Sequence, residues 1–105
     1  MIDEILTAAG VQYRPARFLR MPEDTHAVYF DDIETDGPDG INRIFHHGVT
    51  IELYEPSPDD AAEAAIEAEL DARGLRWTKQ ARYWLKDLQR YQVIYEFNYT
   101  EKRRI

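Results

Sequence analysis

The chain has 105 residues, no cysteine and a formal charge of −7, with an isoelectric point near 4.9. That length holds one domain with a single two-layer core, and the missing cysteine excludes a disulfide scaffold, a thiolate zinc site and a thiol nucleophile. The acidic balance argues against non-specific attraction to nucleic acid or to an anionic membrane, so the expected partners are proteins.

Met1-Ile2-Asp3-Glu4 lacks the basic and apolar regions of a secretory leader, and no apolar run reaches membrane-spanning length, which reads as a soluble, intracellular chain. Asp3 can cap a short helix with Ile5, Leu6 and Ala9 inward, Ile2 at its start and Gly10 placed to end it. Residues 11–24 contain Pro15 and Pro22 and interleave Arg14, Arg17 and Arg20 with Tyr13, Phe18 and Leu19, the marks of an irregular or edge-strand lead-in. Ala27, Val28, Tyr29 and Phe30 form a short strand, which Asp31-Asp32-Ile33-Glu34-Thr35 continues toward the surface.

Asp36-Gly37-Pro38-Asp39-Gly40 is dense turn chemistry, and the chain should reverse there. The return strand runs through Phe45 to Val49-Thr50-Ile51-Glu52-Leu53-Tyr54, with Val49, Ile51 and Leu53 on one face and Gly48 marking a bulge. Residues 31–42 carry five carboxylates with only Ile33 and Ile41 to anchor them. So little apolar area does not offset the entropy of ordering, and this hairpin tip is expected to be the least ordered internal segment.

Ser57-Pro58-Asp59-Asp60 reads as a helix start, with Ser57 as the cap. Ala62, Ile66 and Leu70, helped by Ala65, form the buried stripe; Asp59, Glu63, Glu67 and Asp71 line the outer face, and Gly74 ends the helix. Residues 75–88 return as a strand of loose alternation, with Trp77, Ala81, Tyr83 and Leu85 on one parity and Thr78, Gln80, Arg82 and Trp84 on the other.

The clearest pattern is Tyr91-Gln92-Val93-Ile94-Tyr95-Glu96-Phe97-Asn98-Tyr99, whose odd-numbered residues make an apolar, aromatic face. A helix would scatter those five residues round its circumference. The expected fold is α+β in the order α-β-β-α-β-β, with two helices packed on a mainly antiparallel four-stranded sheet across residues 1–105. Its core should comprise Leu6, Val28, Val49, Ile51, Leu53, Ile66, Leu70, Val93, Tyr95 and Phe97.

The best metal candidate is His46-His47 with His26 and the Asp31-Asp32 pair. Adjacent strand residues point to opposite faces, so the two histidines can share an ion only across a bulge. Residues 32–43 resemble the opening of a calcium loop, but Arg43 stands where the bidentate glutamate belongs and Pro38 occupies the seventh position. The sequence carries no glycine-rich phosphate loop, nucleophile elbow or Ser/His/Asp set, so it assigns no catalytic, cofactor or metal residue and reads as non-enzymatic. Trp84 and Ile94, facing away from the helices, suit a subunit interface. The basic ending Lys102-Arg103-Arg104 suits a solvated tail or an acidic neighbour.

Asn42-Arg43-Ile44-Phe45-His46-His47-Gly48-Val49-Thr50-Ile51-Glu52-Leu53-Tyr54-Glu55, the acidic helix and the strand from Tyr91 together resemble the small tail-completion or tail-terminator proteins of long-tailed phages and prophages. The resemblance covers nearly the whole chain. It implies a structural protein with no cofactor, which forms a ring, typically of six subunits, that caps the tail tube and joins it to the head. It further implies a tail tube protein and a head-completion protein as partners, and a place in the virion neck and, during assembly, the host cytoplasm. A ring contact is heterologous, and the opposing faces expected for it are an acidic one, Glu63, Glu67 and Asp71, and a basic one, Arg14, Arg17, Arg20, Arg103 and Arg104, with Trp84 at the junction. Readings from other classes are a small enzyme or ligand-binding domain with a pocket between helix and sheet, and a regulatory or immunity protein with a single partner.

Overall fold

Period-two alternation near the end of the chain produces the longest strand of the fold. The computed structural model describes residues 1–37 and 42–104. Its elements are α1 (Ile2–Ala8), β1 (Gln12–Pro15), β2 (His26–Asp36), β3 (Asn42–Glu55), α2 (Asp60–Ala72), β4 (Trp77–Lys79), β5 (Tyr83–Leu85) and β6 (Arg90–Arg104). The fold is α+β, with two helices and a mostly antiparallel sheet ordered β1-β2-β3-β6-β4, while β5 follows β4 along the same margin of β6.

The sheet therefore has six strands where the sequence suggests four. One addition is β1, four residues pairing parallel to β2 with Tyr13 opposite Ala27. Its proline and arginine fit a sheet margin, where one side of the backbone needs no partner. The other comes from residues 75–88, which split into β4 and β5. Lys79 pairs with Tyr95, yet β5 resumes with Tyr83 opposite Gln92, so Gln80, Ala81 and Arg82 face only Val93 and Ile94. That is a bulge of one extra residue, pinned by the Gln80 N–H donating to the Ile94 carbonyl at 2.9 Å. The bulge expected at Gly48 is absent: β3 runs through it in unbroken register, opposite Asp32 and Asn98.

Two helix caps also differ from expectation. α1 begins after Met1 with no side-chain cap, and Asp3 lies inside its first turn, where a carboxylate favours the positive end of the helix. Gly10, at φ +74°, ends it as expected. α2 is capped by Asp59 instead of Ser57: Asp59 Oδ1 accepts from the Ala62 N–H at 3.0 Å, and Oδ2 accepts from the Thr25 hydroxyl at 2.6 Å. One side chain thus caps the helix and ties it to the start of β2.

All ten residues expected in the core are buried. Ile5, Leu6, Ile66 and Leu70 of the helices meet Ala27, Val49, Ile51, Leu53, Val93, Tyr95 and Phe97 of the sheet, joined by Ile2 and Val11. Val28 is buried on the opposite sheet face, because the register places it beside Glu52 and not beside Ile51 or Leu53. There it lines a depression with Phe18 and Met21 of the β1–β2 connection.

The helices cover only one end of the sheet. Beyond Asp31, Val49 and Phe97, the strands β2, β3 and β6 continue as a three-stranded arm, in register to Asp36, Ile44 and Lys102. At about 3.3 Å per residue the 14 residues of β3 account for most of the 49 Å long axis. Residues 31–36 are strand, as the expected continuation of β2 through Thr35 anticipates, and paired backbone groups hold them where their side chains do not. Positions 38–41, which hold most of the expected turn and part of the calcium-loop comparison, lie outside the described residues. No helix among the described residues is long and apolar enough to cross a membrane.

Candidate functional site

The bulge between β4 and β5 decides where the charged residues go. Residues directly opposite one another share a sheet face, so Lys79 faces the helices with Tyr95. The extra residue shifts parity, and Arg82 faces the helices too. Arg82 donates from Nε to Glu55 Oε1 at 3.2 Å, and from one terminal nitrogen to Glu63 Oε2 at 2.7 Å and Asp60 Oδ1 at 2.8 Å. Lys79 Nζ lies 2.9 Å from Glu63 Oε1 and 2.7 Å from Glu67 Oε2, and the Tyr95 hydroxyl donates to that Glu67 oxygen at 2.7 Å. Glu63 and Glu67 thus hold α2 to the sheet, and Glu63 is only 5% exposed, which corrects the outer-face reading. Asp71 remains exposed and accepts from Trp77 Nε1 at 2.8 Å.

Glu55 is fully buried at the end of β3, and its Oε2 has no hydrogen-bond partner among the described residues. Burial pushes its carboxyl well above the usual carboxylate range, with the neighbouring Glu63 carboxylate adding to the shift. Burial by itself would raise Glu63 too, but hydrogen bonds from Glu55, Lys79 and Arg82 hold it low.

A second cluster lies on the arm. His47 is 4% exposed and stacks on Tyr99, with ring centroids 4.2 Å apart and planes 8° from parallel. Its Nδ1 lies 2.9 Å from both oxygens of Asp31, and its Nε2 lies 2.8 Å from Glu101 Oε1. One ring nitrogen faces each carboxylate, so His47 on β3 bridges Asp31 of β2 and Glu101 of β6. Arg103 pairs with Glu101 and sits 4.2 Å over the Phe45 ring; its hydrogen bond, followed by that of His47, lowers the Glu101 carboxyl. This ladder links all three arm strands where no helix covers them. We expect His47→Ala to speed amide exchange in residues 31–35 and 99–103 and to leave residues 93–97 protected. Equal protection of the arm in the variant and the parent would exclude His47 as its clasp.

The third feature is a cavity of about 180 Å³ on the sheet face opposite the helices, lined by Phe18, Met21, His26, Val28, Glu52 and Tyr54 among others. His26 is buried, stacked on Tyr54 and edge-on to Phe18, and its Nδ1–H donates to the Asp24 carbonyl at 2.9 Å. Burial lowers its pKa, partly offset by that hydrogen bond, with Arg90 lowering it further. The Tyr54 hydroxyl accepts from Gln92 at 3.0 Å and donates to Glu52 at 2.8 Å, and burial followed by that bond pushes it up to about 12. Arg90 reaches the carbonyls of Pro22 and Glu23 and so holds the connection over this face.

The proposed metal residues do not converge. His46 and Asp32 face away from the helices, His47 and Asp31 face the helix side, and His26 lies at the far end of the sheet, opposite Tyr54. Tyr54 stands eight positions along β3 from His46, roughly 26 Å at strand spacing. Among the described residues no group of three or more histidine, aspartate or glutamate side chains is arranged to hold an ion.

Of the residues assigned to subunit contacts, Arg14, Arg17, Arg20 and Arg104 are exposed, as is Arg103, which is already paired with Glu101. Arg14 lies 5.5 Å over the Phe18 ring, and Arg17 borders the cavity. Trp84 is shifted by the bulge onto the parity of Tyr91, with ring centroids 4.8 Å apart, a correction to its outward reading. Ile94 does lie on the face away from the helices, opposite Glu52. Sequence reasoning missed Arg82 and Glu55, since the parity shift that joins them has no local signal.

No protein-family model matches the chain, and the search of curated proteins finds no match to it.

Proposed function

We propose that the chain is a structural protein of a long-tailed phage or prophage, which completes or terminates the tail tube and helps join it to the head as a ring of subunits. The observation that carries this reading is the arm. Three strands reach past the helix layer, one margin bearing Asp31, Asp32, Glu34 and Asp36 and the other Lys102, Arg103 and Arg104. A subunit with unlike flanks suits a heterologous contact, which is what closes a ring. The pattern of β3, α2 and β6 that resembles tail-completion proteins adds to this support. In this reading the partners are further copies of the chain, the tail tube protein and a head-completion protein; the protein acts in the virion neck and assembles in the host cytoplasm.

Deleting the gene from an inducible prophage is expected to leave heads and tails unjoined, or tails of abnormal length, in electron micrographs of the lysate. Normal joined particles would end the tail-completion reading. A ligand-binding role is the second reading, favoured by the cavity around His26. At about 180 Å³ it falls below the roughly 300–1,000 Å³ of small-molecule pockets and suits something the size of one side chain.

A further inference from the structure

We propose that the two free margins of the arm are a matched pair, and that β6 of one copy adds to β2 of the next. The inference deepens the ring reading and rests on it only for closure into a ring; strand addition itself follows from the two edges.

The backbone shows which groups are available. In an antiparallel strand a residue sends its N–H and C=O to the same side, and the side alternates along the strand. The Tyr29 carbonyl accepts from the Ala16 N–H on the β1 side of β2. Continuous register with β3 then places the backbone groups of Asp31, Ile33 and Thr35 on that same side, past the end of β1. On β6 the Ile94 carbonyl accepts from Gln80, so Thr100, Lys102 and Arg104 present theirs beyond Trp77, where β4 begins. Among the described residues no strand pairs with either stretch. β2 and β6 both run antiparallel to β3, so joining them across copies continues the sheet with a parallel pair.

Side-chain charge selects the pairing. Residues 31–36 carry four carboxylates and no cation; residues 98–104 carry three cations and one carboxylate. Asp31 and Glu101 are taken by His47, and Arg103 by Glu101. Asp32, Glu34, Lys102 and Arg104 have no ion-pair partner among the described residues, and all four lie on the sheet face away from the helices. Free edges guarded by one sign of charge repel every copy. Opposite signs instead forbid β2 with β2 and β6 with β6, and permit only β2 with β6, which makes the contact heterologous.

The test is association of the purified chain at millimolar concentration and low salt, followed by sedimentation and by NMR dilution shifts. The parent is expected to associate, with shifts confined to the two edges. Asp32→Lys with Glu34→Lys, and separately Lys102→Glu with Arg104→Glu, should each weaken association by about 100-fold through like-charge contact. Mixing those two variants should restore it, since each then meets an opposite edge. Lys102→Pro, which deletes one edge N–H and spares the ladder to β3, should also abolish association, and unchanged thermal midpoints would show that the variants fold. A parent that stays monomeric, reversed variants that do not recombine, or a proline variant that associates like the parent would each overturn the proposal. Association by these edges together with normal joined particles from the prophage deletion would remove the tail role alone.

Discussion

Ile66→Ala is expected to destabilise the fold by about 2–5 kcal/mol, read as a lowered urea midpoint at unchanged slope. Ile66 has no exposed surface and belongs to the cluster that joins Ile5 and Leu6 of α1 to Ile51, Leu53 and Val93 of the sheet. Truncation removes the transfer energy of the lost methylenes and leaves a cavity that a helix fastened at several points cannot close. Those points are the Asp59 cap and the contacts of Glu63 and Glu67 to Lys79 and Arg82. A midpoint equal to that of the parent would mean that α2 does not pack as described.

The second large effect concerns pH. Glu55 has a folded-state pKa raised from near 4.5 to about 8, first by burial and then by Glu63. A raised group contributes stability in full below its unfolded value, and that contribution is lost as pH rises through the folded value. Glu63 is shifted the other way, so its contribution is present above the ordinary value and is lost toward acid. The two together place the best stability of this pair near pH 4.5 and predict a decline toward pH 8. Glu55→Gln keeps an oxygen for Arg82, gains a donor toward Glu63, and cannot ionise. It should flatten the decline and exceed the parent at pH 8 by about 1–3 kcal/mol, the scale of an unsatisfied buried polar group. Parallel stability curves for the two proteins between pH 4.5 and 8 would show that Glu55 is ionised throughout.

Much of the fold was legible in the chain because it rests on short-range periods. The alternation from Tyr91 to Tyr99 needed no partner to be read as a strand, and the spacing of Ile66 and Leu70 needed none to be read as the inner stripe of a helix. The arm was only half legible. Asp31, Asp32 and Glu34 look like a solvated tip, since side-chain burial is what a sequence advertises; their order comes from backbone pairing with β3, which leaves no hydrophobic trace. His47 was visible as a histidine, but its partners stand 16 positions before it and 54 after it, and strand register alone brings them together.

What the sequence determined by itself is therefore the class of fold, the helix and strand types, the ten core residues and the acidic balance. The tertiary structure alone decided that residues 75–88 hold one residue too many for their partner strand, and hence that Arg82 turns inward to Glu55 and Glu63. It also turned Glu63 and Glu67 from a solvated face into the join between helix and sheet, and left the acidic and basic margins of the arm without a strand partner among the described residues. The physical reason is range. Propensity and periodicity act over one or two turns, whereas register, bulges and ion pairs are set by strands that meet only after the chain has closed long loops.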